Sequence, residues 1–200
     1  MNFAPPWIRP GAARVTRVEV FKRSLIAAAG VSAVAASLYA APGIAGLTGA
    51  GLALIMLAVA VIDWRLLVIP DELSALAIAL GLGDVVFARW EDMPAPGLDA
   101  LVRGAVTAAL FFVFRFVYRR FRGREGLGLG DVKLAGVAGI WLDWTSLPIA
   151  VEIAALCALG FVASRGIRAR RAPDPLAKLP FGTFLAPSIW LCWLLARWWS

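Results

Sequence analysis

Acidic residues beside apolar segments are the feature of this sequence that could support chemistry. Asp63 closes an apolar stretch, and Asp71 follows eight residues later in the segment Ile-Pro-Asp-Glu. Asp131 ends the glycine-rich segment 126–131, just before another apolar stretch. A charged group at the centre of a lipid bilayer costs roughly 2.5–3.5 kcal/mol on insertion scales. Each of these acids therefore needs a structural or a chemical reason.

Asp63 and Asp131 together have the residue types that aspartic proteolysis requires. Two carboxylates that meet in a poorly solvated site cannot both ionise cheaply, so they share one proton. One of them then acts as a base on a water molecule, while its protonated partner polarises a carbonyl oxygen. This chemistry needs no histidine, metal or activated nucleophile. We predict that the two residues meet in one site and form a catalytic pair.

Each acid also has a structural explanation. Pro70 suits the first turn of a helix, where Asp71 would face the positive end of the helix dipole. Asp63 could instead be an interfacial residue paired with Arg65, and Asp131 could cap the helix that follows it. The glycines before Asp131 would let the backbone take unusual conformations or let another chain approach closely.

The string Gly-Leu-Gly-Asp occurs twice, at 81–84 and at 128–131. Asp84 lies about eleven residues into an apolar stretch, roughly 16 Å from its start at 1.5 Å per residue, and therefore far from Asp63. We expect Asp84 to act as a proton relay or to contact Arg103 on another helix. Glu152, inside a later apolar stretch, is expected to have a similar packing or pairing role.

The composition places these acids in a membrane protein. Of the 200 residues, 61% are hydrophobic and 16% are charged, and the mean hydropathy is +0.80. Such a chain exceeds the apolar content of soluble domains and could not bury that much apolar surface in water. We predict an all-α, polytopic membrane helix bundle, because stretches near the roughly 20 residues that cross a bilayer recur along the chain. The predicted spans are 24–41, 44–63, 73–89, 98–118, 129–142, 146–164 and 181–198.

Basic residues predict the orientation of these spans. Lys and Arg number five in 1–23, one in 63–72, six in 115–133 and five in 165–178, which puts 17 of 20 on one side. The positive-inside rule then places the N-terminus in the cytoplasm. It also favours seven spans over six, because without the short fifth span the last basic loop would fall on the wrong side. The first span is expected to be a retained anchor. Eight of the nine tryptophans lie near span ends or in the last span, as an interfacial belt would.

Several function classes are excluded or disfavoured. The chain has no histidine, which excludes Ser–His–Asp and Cys–His machinery and His-ligated metal sites. Cys157 and Cys192 stand alone in apolar runs and form no CxxC pair. We expect no cofactor and no metal. The net charge of +7 is a topology signal that also suits contact with phospholipid, and nucleic acid is not an expected partner.

Three sequence blocks resemble the type IV prepilin peptidases, membrane aspartic proteases with a GxGD motif. Residues 63–74 are similar to the first acidic block of that family, including its Ile-Pro-Asp element. Residues 128–134 resemble its GxGDxKL block, and the Val-Lys-Leu tail distinguishes them from the copy at Asp84. Residues 179–186 resemble its PFGPFLA element, with Thr183 where the family often has Pro.

The resemblance implies that Asp63 and Asp131 cleave prepilin-like membrane proteins at the cytoplasmic face of a prokaryotic inner membrane. The cut would fall between a short basic leader and a hydrophobic helix. Lys133 could act on its neighbour Asp131, bind a substrate carboxylate or reach the membrane interface. The resemblance also implies supporting or substrate-loop residues in the same blocks: Pro70, Asp71, Gly128, Gly130, Lys133, Pro180, Phe181 and Gly182.

The expected organisation is a basic cytoplasmic segment, 1–23, followed by one transmembrane peptidase domain, 24–200. Larger family members carry a zinc-binding domain with an N-methylating activity, and we expect a peptidase alone here. Pilus or secretion assembly proteins are possible partners. Two alternatives stay open: an ion- or proton-coupled transporter that uses Asp63, Asp84, Asp131 and Glu152, or a non-catalytic membrane subunit of a secretion machine.

Overall fold

Helices account for all the regular structure in the part of the chain that the computed structural model describes, residues 17–88, 95–123, 126–169 and 179–199. This confirms the predicted all-α class, including the short fifth helix. The helices are α1 (Arg17–Ala40), α2 (Ile44–Leu66), α3 (Asp71–Ala88), α4 (Ala95–Arg122), α5 (Leu129–Trp141), α6 (Ser146–Ala169) and α7 (Gly182–Trp198).

Residues 1–16 of the predicted basic segment lie outside the described residues, and the rest of that segment belongs to α1. The basic residues at 89, 124 and 170–178 that entered the orientation count also lie outside them.

Four of the described helices, α1, α2, α4 and α6, are long and apolar enough to cross a membrane. The chain is thus an integral membrane protein whose outer helices expose apolar side chains, as a lipid environment requires. The helix α5 is different, because its 13 residues rise only about 20 Å at 1.5 Å per residue. Most of its residues from Leu134 to Ile140 are nevertheless inaccessible, so α5 is an interior helix of the bundle.

Three helices, α2, α5 and α7, form the centre of the bundle, and α7 packs against α1, α2, α5 and α6. The helix α2 packs against α1, α3 and α7, and α5 packs against α3, α4 and α7. Side chains from α2, α5 and α7 supply the most deeply buried part of the core, including Leu52, Val59, Leu134, Val137 and Ile189. Because α2 and α5 both pack against α3 and α7, residues near the end of α2 and the start of α5 can meet inside the protein.

The predicted tryptophan belt is wrong for Trp193, and Trp141 and Trp190 make hydrogen bonds inside the bundle. Trp193 is buried and packs edge-on against Trp141 with ring centroids 6.4 Å apart. The indole N–H of Trp141 donates to the carbonyl of Ala77 on α3 at 2.9 Å, and that of Trp190 donates to Ser37 Oγ on α1 at 3.0 Å. These rings join helices within the bundle. Trp64, Trp144, Trp198 and Trp199 are exposed, and Trp90 lies outside the described residues.

Candidate active site

Asp63 lies in the last turn of α2 and is only 5% exposed. Its Oδ2 accepts a hydrogen bond from the backbone N–H of Thr183 at 2.8 Å and lies 3.2 Å from Thr183 Oγ1. The same hydroxyl lies 3.2 Å from the carbonyl oxygen of Ala60. The start of α7 therefore holds this carboxylate against the end of α2. The alternative pairing of Asp63 with Arg65 is not found among the described residues.

Asp131 lies in the first turn of α5 and is 8% exposed. Its Oδ2 accepts a hydrogen bond from the backbone N–H of Gly128 at 2.9 Å. The carbonyl before Gly128, on Leu127, accepts a hydrogen bond from Arg115 Nη1 of α4 at 2.7 Å. The N-cap residue of α5 is thus Gly128, and Asp131 caps the helix from its third position, whereas the structural explanation had made Asp131 itself the N-cap. Capping alone does not require that Asp131 be buried or that it line a cavity.

Ile69 joins the three sequence blocks. It is buried between Gly130 of α5 and Gly182 of α7. A Cβ on Gly130 would lie 2.9 Å from Ile69 Cβ, and a Cβ on Gly182 would lie 2.7 Å from Ile69 Cδ1 and 3.0 Å from Asp63 Oδ2. Close approach is therefore the reason for both glycines. Gly128 needs no glycine conformation, since its φ of −74° and ψ of 156° are open to any residue.

One cavity of about 280 Å³ is lined by both candidate catalytic aspartates. The structure thus brings Asp63 and Asp131 to the same end of the bundle, from sequence positions 68 residues apart. Their catalytic role stays a prediction. The other lining residues are Leu67, Val68, Ile69, Asp71, Gly128, Leu129, Gly130 and Lys133.

Asp71 and Lys133 form an ion pair at this cavity. Asp71 is in the first turn of α3, as predicted, and Lys133 lies two residues after Asp131 on α5. Both side chains are largely accessible, 72% for Asp71 and 44% for Lys133. The ion pair therefore connects the first acidic block to the glycine-rich block at the open side of the cavity.

The remaining predicted supporting residues shape turns and do not line this cavity. The carbonyl of Pro70 accepts hydrogen bonds from the backbone and the hydroxyl of Ser74, both at 3.3 Å, at the start of α3. The carbonyl of Pro180 accepts from Thr183 N at 3.3 Å, and that of Phe181 accepts from Leu185 N at 3.0 Å. These turns determine where α3 and α7 begin, and so where Ile69 and Thr183 lie.

Asp84 lies at the opposite end of the bundle. Its partners are Thr48, whose Oγ1 donates to Asp84 Oδ1 at 2.5 Å, and Arg197 Nη2 at 3.5 Å. Since Thr48 precedes Asp63 by fifteen residues on α2, the two acids are separated by roughly 22 Å along that helix. The expected distance from Asp63 is confirmed.

The expected contact between Asp84 and Arg103 is wrong. Arg103 pairs with Asp99, and its Nε donates to the carbonyls of Gly139 at 3.2 Å and Leu142 at 3.0 Å. These acceptors place its guanidinium at the end of α5. Arg103 and Asp84 both line a second cavity, of about 520 Å³, at this end of the bundle. Glu152 is exposed, and the described residues give it no ion pair or hydrogen bond, so its predicted pairing is not found there.

Thr183 is the site residue that sequence reasoning missed. Its backbone N–H and its hydroxyl both lie within hydrogen-bond distance of Asp63 Oδ2, whereas a proline at this position has no N–H and no hydroxyl. The only signal in the sequence was the departure of Thr183 from the usual family residue. Among the described residues, no group of three or more His, Cys, Asp or Glu side chains could hold a metal ion.

Comparisons with known proteins agree with the motifs. The profile of the type IV leader peptidase family matches residues 50–163. The prepilin leader peptidase/N-methyltransferase of Burkholderia pseudomallei (strain 1026b) is 36% identical over 162 residues, which cover 80% of this chain and 50% of that protein. The protein of the same name from Pectobacterium carotovorum subsp. carotovorum is 34% identical over 154 residues, covering 76% and 53%.

A shorter match, to leader peptidase HopD of Escherichia coli, is 42% identical over 88 residues and covers 44% of this chain and 56% of that protein. The chain spans about half the length of the curated relatives it matches. No solved structure matches it significantly. The profile covers more than half of the chain and contains Asp63, Asp71 and Asp131. The chain therefore belongs to the type IV leader peptidase family.

Proposed function

We propose that this chain is a membrane-embedded aspartic endopeptidase that removes the short basic leader from prepilin-like precursors. The observation that carries the proposal is that Asp63 and Asp131, which are both buried, line one cavity. The names of the relatives, prepilin leader peptidases, support the same activity.

In the proposed mechanism the two aspartates share one proton and hold a water molecule between them. The ionised member takes a proton from the water, and the protonated member donates a hydrogen bond to the carbonyl oxygen of the scissile bond. Attack of the water forms a tetrahedral intermediate. Proton transfer to the leaving nitrogen then breaks the C–N bond and returns the pair to its starting state.

The proposed location is the cytoplasmic end of the bundle in a prokaryotic inner membrane. The basic residues that flank this end, including Lys22, Arg65 and Arg119, support this orientation by the positive-inside rule. A leader that is still in the cytoplasm would reach the cavity from that side. Pilus or secretion assembly proteins are proposed as indirect partners, because they would share the prepilin substrate with this chain.

The transporter alternative has less support. Its four acids do not follow one path through the bundle, because Asp84 is bonded to Thr48 and Arg197 at the far end. Glu152 is exposed on α6. Asp63 and Asp131 share a cavity whose lining includes neither Asp84 nor Glu152.

The proposal is tested with the purified chain in liposomes and a prepilin-like precursor. We expect two peptide products whose masses place one cut between the basic leader and the apolar helix, at a rate that EDTA leaves unchanged. Ion flux without peptide products would favour the transporter. Loss of cleavage with EDTA, restored by added metal, would contradict the two-aspartate mechanism.

A further inference from the structure

The charged residues that line the cavity of the two aspartates are three acids and one base: Asp63, Asp71, Asp131 and Lys133. This negative excess stands out in a chain whose net charge is +7. Asp63 and Asp131 are buried, but the side chain of Asp71 is 72% exposed. Asp71 is therefore the carboxylate of this cavity that a solvated ligand meets first.

Lys133 occupies this carboxylate in the present structure. Within the described residues its ammonium is the only ionic partner of Asp71. The pair is solvent-exposed and connects two helices, α3 and α5. Because exposed ion pairs contribute little free energy, another cation can replace Lys133 at Asp71. A second ammonium or guanidinium could take the place of Lys133 without breaking any other contact described for Asp71.

We propose that Asp71 determines specificity by binding, in place of Lys133, a lysine or arginine side chain that lies within a few residues of the scissile bond of the substrate. The inference rests on the proposed peptidase function. Because Asp71 lines the same cavity of about 280 Å³ as the aspartate pair, a cation held by Asp71 belongs to a residue only a few positions from the bond that is cut. The Lys133 ammonium marks the position of that cation in the free protein.

Glu72 provides a matched control. It is the next residue, is also exposed in the first turn of α3, and carries the same charge, but it does not line the cavity. A change at Glu72 therefore alters the local net charge and its interaction with the dipole of α3, as a change at Asp71 does. It does not affect the proposed cation site.

The test compares sets of precursors in which one leader residue, two, three or four positions before the cut, is Lys, Gln or Glu. We expect the unmodified chain to prefer the Lys precursor of at least one set. Asp71→Asn should raise KM for that precursor up to about fivefold, the size of a lost exposed ion pair, with a smaller effect on kcat. Asp71→Lys should reverse the order and cleave the Glu precursor faster than the Lys precursor. Lys133→Met should lower KM for the Lys precursor, because the competing ammonium is gone.

Glu72→Lys should keep the preference of the unmodified chain, and thermal unfolding in detergent establishes that each variant is folded. The inference is overturned if Asp71→Asn and Asp71→Lys fold and retain the original ratio of rates among the three precursors of every set. If the unmodified chain cuts none of the precursors, the proposed function fails and this inference fails with it. The two failures are thus distinguishable.

Discussion

Thr183 brings its backbone N–H and its hydroxyl within hydrogen-bond distance of a single oxygen of Asp63, and the hydroxyl lies equally close to the carbonyl of Ala60. A carboxylate in a bundle can rotate about its side-chain bonds, and donors fixed at the start of a helix limit this rotation. With Oδ2 held by α7, the remaining oxygen, Oδ1, is the one left to meet a water molecule or Asp131. Thr183 is therefore a positioning residue that acts through Asp63.

Thr183→Val tests this role because valine keeps the shape and the backbone N–H but removes the hydroxyl. We expect kcat for leader removal to fall about tenfold with little change in KM, since a hydrogen bond to a charged group is lost. Thr183→Ser restores the hydroxyl and should recover most of the rate. A valine variant at full rate, or a serine variant as slow as valine, would contradict the positioning role.

At this scale the acids could be predicted and their partners could not. Asp63 and Asp131 attract attention because carboxylates in apolar stretches are costly. Thr183 lies 120 residues after Asp63, and its donors matter only because α7 begins beside the end of α2. The sequence alone does not contain that juxtaposition. The ion pair of Lys133 with Asp71 likewise depends on where α3 and α5 begin.

The elements around the site are held together by Ile69, which lies between the first turns of α5 and α7. The segment containing Ile69 follows Leu67, whose φ of 56° ends α2 in the left-handed conformation. That conformation is unfavourable for a residue with a Cβ, and it turns the chain back toward Gly130 and Gly182. Small residues at these two positions let the three segments approach one another.

The duplicated Gly-Leu-Gly-Asp string offers a matched pair of variants. Gly130→Ala adds a methyl group 2.9 Å from Ile69 Cβ, whereas Gly83→Ala, at the same position of the other copy, adds one with no neighbour within 4 Å. We expect Gly130→Ala to reduce the free energy of unfolding by about 1–3 kcal/mol from overpacking, less any gain in helix propensity, and to slow cleavage.

Gly83→Ala should keep its activity and be equally stable or slightly more stable, because alanine favours a helix. Thermal unfolding in detergent and leader removal are measured for both variants. The packing account of the glycine-rich block fails if the two alanine variants behave alike.

Helix positions follow closely from the apolar stretches, since each span must satisfy its own backbone hydrogen bonds in lipid. Even the short α5 was predicted, because the last basic loop falls on the cytoplasmic side only if this helix is present. A close approach to the glycines before Asp131 was also predicted, but for another chain. That Ile69 would be the neighbour was not, because it depends on the turn at Leu67.

The whole molecule has a polar cluster at each end. The end with Asp63 and Asp131 has a small cavity with four charged residues in its lining, and the other end has a larger cavity with Asp84, Arg103 and Arg197. The arginine partner of Asp84 was misassigned from the sequence. Arg103 and Arg197 both line this larger cavity. Their hydrogen bonds show which of them contacts Asp84, because Arg103 donates to the carbonyl of Gly139 and Arg197 to Asp84. Hydropathy also could not predict that Trp193 is buried among helices.

The central claim is that both aspartates of one cavity, and not the acid at the far end, remove the leader. It is tested most directly by sequencing the N-terminus of a prepilin co-expressed with Asp63→Asn, Asp131→Asn or Asp84→Asn. We predict that the first two variants leave the leader attached and that Asp84→Asn removes it nearly as well as the unmodified chain. Leader removal by a folded Asp63→Asn or Asp131→Asn variant, or its loss only in Asp84→Asn, would contradict the account.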